Sequence, residues 1–106
     1  MSLAFEVGRR GSAATIRLTG RIDRDAGTVL EQAYTAAIAG TPSAVELDFV
    51  DVEYINSTGI ALIVSLLARA RAQGLPIRAA GLTPHYRHIF EITRLSDFIE
   101  IVQPIA

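Results

Sequence analysis

Apolar and polar residues alternate in some stretches of this chain and recur every three or four positions in others, which predicts strands interleaved with helices. Leu3, Phe5 and Val7 alternate with Ala4 and Glu6, and Ile16 and Leu18 alternate with Thr15, Arg17 and Thr19. Gly8-Arg9-Arg10-Gly11-Ser12 between them is a glycine-bearing loop of hairpin length. Over residues 26–39 the spacing changes to that of a helix, with Val29, Leu30, Ala33, Ala37 and Ile38 on one face and Gly40 and Pro42 as the stop. Val45, Leu47 and Phe49 against Glu46 and Asp48 predict a third strand. A loop from Val50 to Asn56 then leads to a helix with Ile60, Ile63, Val64, Leu67 and Ala70 facing inward. That helix runs out at Gln73-Gly74-Leu75-Pro76. Ile77 and Ala79 make a short fourth strand, and Thr83-Pro84 opens a third helix in the order cap then proline. Tyr86, Ile89, Phe90 and Ile92 are its inward residues, and Ile99 and Ile101 form a last strand before Pro104.

This order predicts an α/β fold: a mixed, mostly parallel sheet of about five strands with right-handed crossovers. Strands buried on both faces read as continuous apolar runs, whereas these alternate. The helices are therefore expected mainly on one face, with the other partly open to water. At 106 residues, half of them apolar, the chain suits one domain over residues 1–106.

The joint between the third strand and its helix is Asn56-Ser57-Thr58-Gly59. One reading is purely structural, because Asn is among the best N-caps and satisfies an orphan amide of the first turn. The other is functional. A serine exposed at a helix N-terminus sits where the dipole and free N–H groups favour an anion, and a phosphoryl group there adds about −1.5 to −2 charges at pH 7. Both stand on the local residues.

Charge and composition narrow the remaining choices. The net charge of −1, with all ten basic residues arginine, argues against general attraction to nucleic acid or anionic lipid. Glu46, Asp48, Asp51 and Glu53 crowd the approach to Ser57, as a solvated face or as an acidic docking surface. The absence of cysteine excludes disulfides, zinc-thiolate sites and thiol nucleophiles. No secretory signal is expected from the first residues, and no apolar run approaches the roughly 20 residues that span a bilayer. Ile55-Asn56-Ser57-Thr58-Gly59 lacks the first glycine of a Gly-x-Ser-x-Gly nucleophile elbow, so catalysis is not expected. His85 and His88 lie three apart on a predicted helix, but two histidines without a further ligand do not make a metal site. No glycine-rich phosphate loop is present either.

Glu46-Leu47-Asp48-Phe49-Val50-Asp51-Val52 followed by Tyr54-Ile55-Asn56-Ser57-Thr58-Gly59-Ile60 resembles the STAS domain family, most of all its free-standing anti-sigma-factor antagonists. Gly20-Arg21-Ile22-Asp23 is similar to that family's second marker. Gly81-Leu82-Thr83-Pro84 and Phe90-Glu91-Ile92-Thr93-Arg94-Leu95 are similar to its later landmarks. The resemblance implies a cytoplasmic, non-enzymatic, cofactor-free protein that binds an anti-sigma factor, often a serine kinase of the histidine-kinase-like ATPase type. Phosphorylation of the serine at this joint abolishes binding and a phosphatase restores it. Ser57 takes that serine's place, Asp23 matches the neighbouring acidic residue, and Asn56, Thr58 and Gly59 complete the implied partner-binding set. The family usually has Asp directly before the serine; Asn56 caps a helix equally well but carries no charge. A rival implication is a STAS scaffold subunit that does not switch, in a signalling assembly or a lipid-trafficking transporter complex. No further C-terminal helix, which some members carry, is expected.

Overall fold

The computed structural model describes residues 2–102. Strands β1 (Ala4–Arg10) and β2 (Ala13–Ile22) form an antiparallel hairpin in which Arg10 pairs with Ala13. The connection is thus Gly11-Ser12 alone, shorter than the expected loop over residues 8–12. Gly11 adopts a φ of +64°, as a type II′ turn requires at its first central position, so Gly8, Arg9 and Arg10 stay in the ladder. A single 3-10 turn (Arg24–Ala26) leads into α1 (Gly27–Ile38). Then come β3 (Ala44–Ile55), α2 (Ser57–Ala72), β4 (Ile77–Ala80) and α3 (Pro84–Ile92). A second 3-10 turn (Leu95–Asp97) precedes β5 (Glu100–Ile101); Pro104, expected to end that strand, lies outside the described residues.

The strands lie in the order β1-β2-β3-β4-β5, and every pair after the first is parallel. Each parallel step moves one strand in the same direction, so right-handed crossovers place all three helices on one face. That is the arrangement the alternating strands predicted. Ile16, Leu18, Val45, Leu47, Phe49, Ile77 and Ala79 meet the buried sides of the helices in one core. Phe49 and Phe90 join α3 to it edge to face, with ring centroids 5.9 Å apart.

One boundary differs from expectation in a way that builds the site. Val50 to Ile55, expected as loop, continues β3 to a length of 12 residues. Its register against β2 shifts twice: Arg17 pairs with Asp48 but Thr19 with Asp51, and Gly20 pairs with Val52 but Arg21 with Tyr54. Each shift inserts one extra residue into β3, so strict alternation fails beyond Phe49 although pairing continues. The two strands end together at the pair Ile22 and Ile55.

The helix-free face also departs from a simple solvated surface. Glu46 is 1% exposed, and its carboxylate accepts two hydrogen bonds from the Arg10 guanidinium, at 2.9 and 2.7 Å, with Arg78 3.6 Å away. Asp48 is buried and accepts the Val50 N–H, while Asp51 pairs with Arg17 at 2.8 Å. Glu46 and Asp48 are thus withdrawn into the sheet and are not part of an acidic surface, while Asp51 stays exposed in a surface ion pair. Alternation alone could not show this, because the cross-strand arginines lie far away in sequence.

The Arg10 hydrogen bonds hold the Glu46 carboxyl below its ordinary value, against the opposing effect of burial. A group depressed in the folded state stabilises fully above its unfolded pKa, and that stabilisation disappears as pH falls through the folded one. Thermal unfolding followed from about pH 7 down to about pH 3 should therefore show an acid loss that is smaller in Glu46→Gln. Parallel curves for the two proteins would assign the acid sensitivity to other carboxylates.

Two helix faces are rotated from the expected ones. In α2 the buried residues are Gly59, Ile63, Leu66, Leu67 and Ala70, and Val64 is 45% exposed. In α3 Phe90 is fully buried, Tyr86 and Ile89 are half-buried, and Ile92 faces water. Val64 and Ile92 lie at the margins of their apolar arcs, where a 100° step per residue decides inside from outside and the sequence spacing does not. Tyr34, not expected inside, is fully buried in α1; its hydroxyl donates to Gln73 Oε1 and the Arg69 guanidinium lies 4.8 Å from its ring centroid.

Candidate functional site

The site forms where β2 and β3 leave the sheet side by side. Asn56 follows β3 in an extended conformation and caps α2 through its Oδ1, which accepts the Gly59 N–H at 2.8 Å. Its own N–H donates to the Ile22 carbonyl at 3.3 Å, tying the start of the helix to the end of β2. Ser57 and Thr58 occupy the first two helical positions and are exposed. The N–H groups of a first turn have no partners within the helix, so the Ser57 hydroxyl sits beside unsatisfied donors and the positive end of the dipole.

Gly59 is the buried member of the quartet. A Cβ added there would lie 1.9 Å from the Ile22 carbonyl oxygen, closer than any real contact. Only glycine lets the first turn of α2 approach the backbone of β2 this closely. The quartet is therefore rigid behind and open in front.

Asp23 follows Ile22 directly and so emerges beside Asn56. Its Oδ1 accepts the Asp25 N–H at 3.0 Å, capping the 3-10 turn, and its Oδ2 lies 3.9 Å from Arg21 Nε. Arg21 is in turn stacked 4.3 Å from the centroid of the Tyr54 ring. The structure thus brings Asp23, Asn56, Ser57, Thr58 and Gly59 to one corner of the sheet. Arg21 and Tyr54 hold the Asp23 side from the helix-free face. Sequence reasoning missed this pair, which becomes visible only once both register shifts are known.

Tyr86 adds a second support that sequence did not reveal: its hydroxyl accepts the Ile55 N–H at 2.9 Å, so α3 props the end of β3. His85 and His88 are both exposed, and among the described residues no group of histidine, aspartate and glutamate could hold a metal ion.

The cap can be tested independently of any partner. Asn56→Ala should cost about 1 kcal/mol, whereas Asn56→Asp should preserve stability to within a few tenths, since either side chain accepts the Gly59 N–H. Urea titrations of the three proteins decide this. Equal midpoints for all three would mean that the hydrogen bond to Gly59 contributes nothing.

Comparison with known proteins adds the family context. The family model described as "Mlab, STAS domain" matches residues 5–103. An anti-sigma-B factor antagonist of Listeria monocytogenes is 28% identical over 95% of this chain and 90% of its own length. Among solved structures, an anti-sigma factor antagonist from Mycobacterium paratuberculosis matches with a TM-score of 0.75 at 22% identity, covering 94% of this chain and 85% of that one. The phosphorylated form of the Bacillus cell fate determinant SpoIIAA matches with a TM-score of 0.66 at 20% identity, covering 93% and 91%. At these identities the two structures show a shared fold, whose strand and helix order is the one described above.

Proposed function

This chain belongs to the STAS domain family, and on that footing we propose that it is an anti-sigma-factor antagonist acting as a phosphorylation-controlled binding switch. Residues 1–106 act as one domain. Unmodified Ser57, with Asp23, Asn56, Thr58 and Gly59 around it, docks on an anti-sigma factor that is also a serine kinase of the histidine-kinase-like ATPase type. Phosphorylation of Ser57 releases that partner, and a phosphatase restores binding. The protein itself catalyses nothing, needs no cofactor, does not bind nucleic acid and works in the cytoplasm beside its partners.

The observation that carries this reading is the exposure of Ser57 at the first position of a helix whose N-terminus is locked to β2 from behind. A phosphate added there is tolerated by the fold, because the dipole and the free N–H groups favour it. In an interface the same phosphate must be desolvated and meets any like charge of the partner, which is how a local modification rejects a partner without refolding the domain. Among the described residues no helix is long and apolar enough to cross a membrane.

A second reading rests on Asn56. With no carboxylate before the serine, a kinase that reads that charge has less to recognise, and the corner then serves as a fixed docking surface of a scaffold subunit. Intact mass separates the two. After incubation with ATP and the histidine-kinase-like ATPases of the same genome, the wild type should gain one phosphate and Ser57→Ala none. An unmodified wild type that still forms a stable complex would replace the switch by the scaffold.

A further inference from the structure

On its α2 side the corner at Ser57 offers no large anchor, since Ser57, Thr58 and Ala61, the outward residues there, are all small, and Arg21 and Tyr54 lie on the helix-free face. Protein interfaces draw most of their affinity from a few large, fully desolvated side chains near the centre of the contact. Farther along the same helix lies a cavity of about 190 Å3 lined by Val64, Leu67, Ala68, Arg71, Leu95 and Phe98, almost wholly apolar. Val64 is 45% and Phe98 55% exposed, so two large apolar side chains frame its mouth.

Resting on the switch reading, we propose that this groove is the partner's apolar anchor, receiving one large apolar side chain from a partner surface that also carries an acidic residue opposite Arg71. Three observations select this occupant. The cavity is smaller than the roughly 300 Å3 of a small-molecule pocket, but suits a single side chain. Arg71 lies at its rim with the guanidinium 5.1 Å from the Phe98 ring centroid, a cation placed to meet an acidic flank. Finally, the groove lies along the same face of α2 as Ser57, because Val64 and Ala68 follow it at helical spacing. At 1.5 Å per residue, Val64 lies about 10 Å and Ala68 about 16 Å along the axis from Ser57. A standard interface covers about 800 Å2 of each partner, a disc of roughly 16 Å radius, so one footprint holds both.

The two ends then divide the work. The groove supplies affinity and Ser57 supplies the veto. This division explains how a phosphate acts decisively at the start of α2, since the like-charge and desolvation cost at one end is weighed against a fixed apolar gain at the other.

The test uses the full chain and the ATPase whose binding is lost in Ser57→Glu. Calorimetric titration should show Phe98→Ala weakening that complex about tenfold, Val64→Asp about a hundredfold and Arg71→Glu about tenfold. All three positions are exposed, so melting temperatures should stay close to wild type. Phosphorylation of Phe98→Ala should need more substrate to saturate the kinase while keeping its maximal rate, and an unchanged melting temperature excludes a smaller folded fraction as the cause. Wild-type affinity in Phe98→Ala and Val64→Asp, with Ser57→Glu still inactive, overturns the groove and leaves the switch standing. If these variants instead dissociate a dimer of this chain in sedimentation, the occupant is a second copy and the proposal falls. If no ATPase responds to Ser57→Glu, the switch reading fails and the groove's assignment fails with it.

Discussion

Gly59→Ala should be the most damaging single-methyl change in this protein. Helix propensity alone predicts the opposite, because alanine is favoured over glycine by about 1 kcal/mol inside a helix. The new Cβ would sit 1.9 Å from the Ile22 carbonyl oxygen and 2.7 Å from its carbon. That backbone cannot simply withdraw: Ile22 is fully buried, paired with Ile55 at the end of the sheet, and its carbonyl accepts the Asn56 N–H. Either the first turn of α2 or the end of β2 must move, breaking ladder and cap bonds together. Such overpacking typically costs 1–3 kcal/mol and sometimes more, so a net loss of about 2–4 kcal/mol is expected, roughly 10–25 °C in melting temperature for a domain this size. Gly27→Ala is the control, since its Cβ would make ordinary contact with Leu62 at 3.4 Å. That variant should melt within a few degrees of wild type. A Gly59→Ala protein as stable as the control would show that the close approach of helix and strand is not needed.

Ser57→Glu should separate stability from binding. A negative charge in the first turn of α2 interacts favourably with the helix dipole, so the variant should be as stable as wild type or more so, by about 0.3–1 kcal/mol. On the proposed switch, complex formation with the anti-sigma partner should nevertheless fall at least about a hundredfold, roughly 2.7 kcal/mol, because the same charge would be buried against the partner without compensation. Ser57→Ala removes only a hydroxyl at an exposed position and should bind like the unmodified protein. Pairing thermal melts with calorimetry on the three proteins makes the outcomes distinct. Equal affinity for Ser57→Glu and wild type would exclude charge at this position as the switch.

The Asn56 cap bears on this result. Its neutral side chain leaves one fewer negative charge beside an added phosphate than aspartate would, while the hydrogen bond to Gly59 is kept. An anion at Ser57 would therefore meet no charge repulsion from the cap.

Much of this was legible in the residues. Period-2 alternation located the strands, 3.6-residue spacing located the helices, and Thr83-Pro84 opened α3 as a cap followed by proline should. The site quartet was legible for the same reason: capping is local, decided by side chains within three residues of the amide they satisfy. The one-sided placement of the helices followed from alternation, because a strand covered on both faces has no reason to alternate.

What the tertiary structure decided was whatever depends on partners distant in sequence. The extension of β3 through Ile55 rests on two bulges against β2, and these in turn carry the Ile22 carbonyl beneath Gly59. The burial of Glu46 rests on Arg10 and Arg78, each more than thirty residues away. The outward turn of Val64 depends on which arc of α2 the sheet covers. Sequence alone thus determined the elements, their order and the chemistry of the corner at Ser57, because those follow from neighbours along the chain; the rigidity of that corner, the neutralised acidic strand and the apolar groove beside α2 follow from neighbours across it, and only folding selects those.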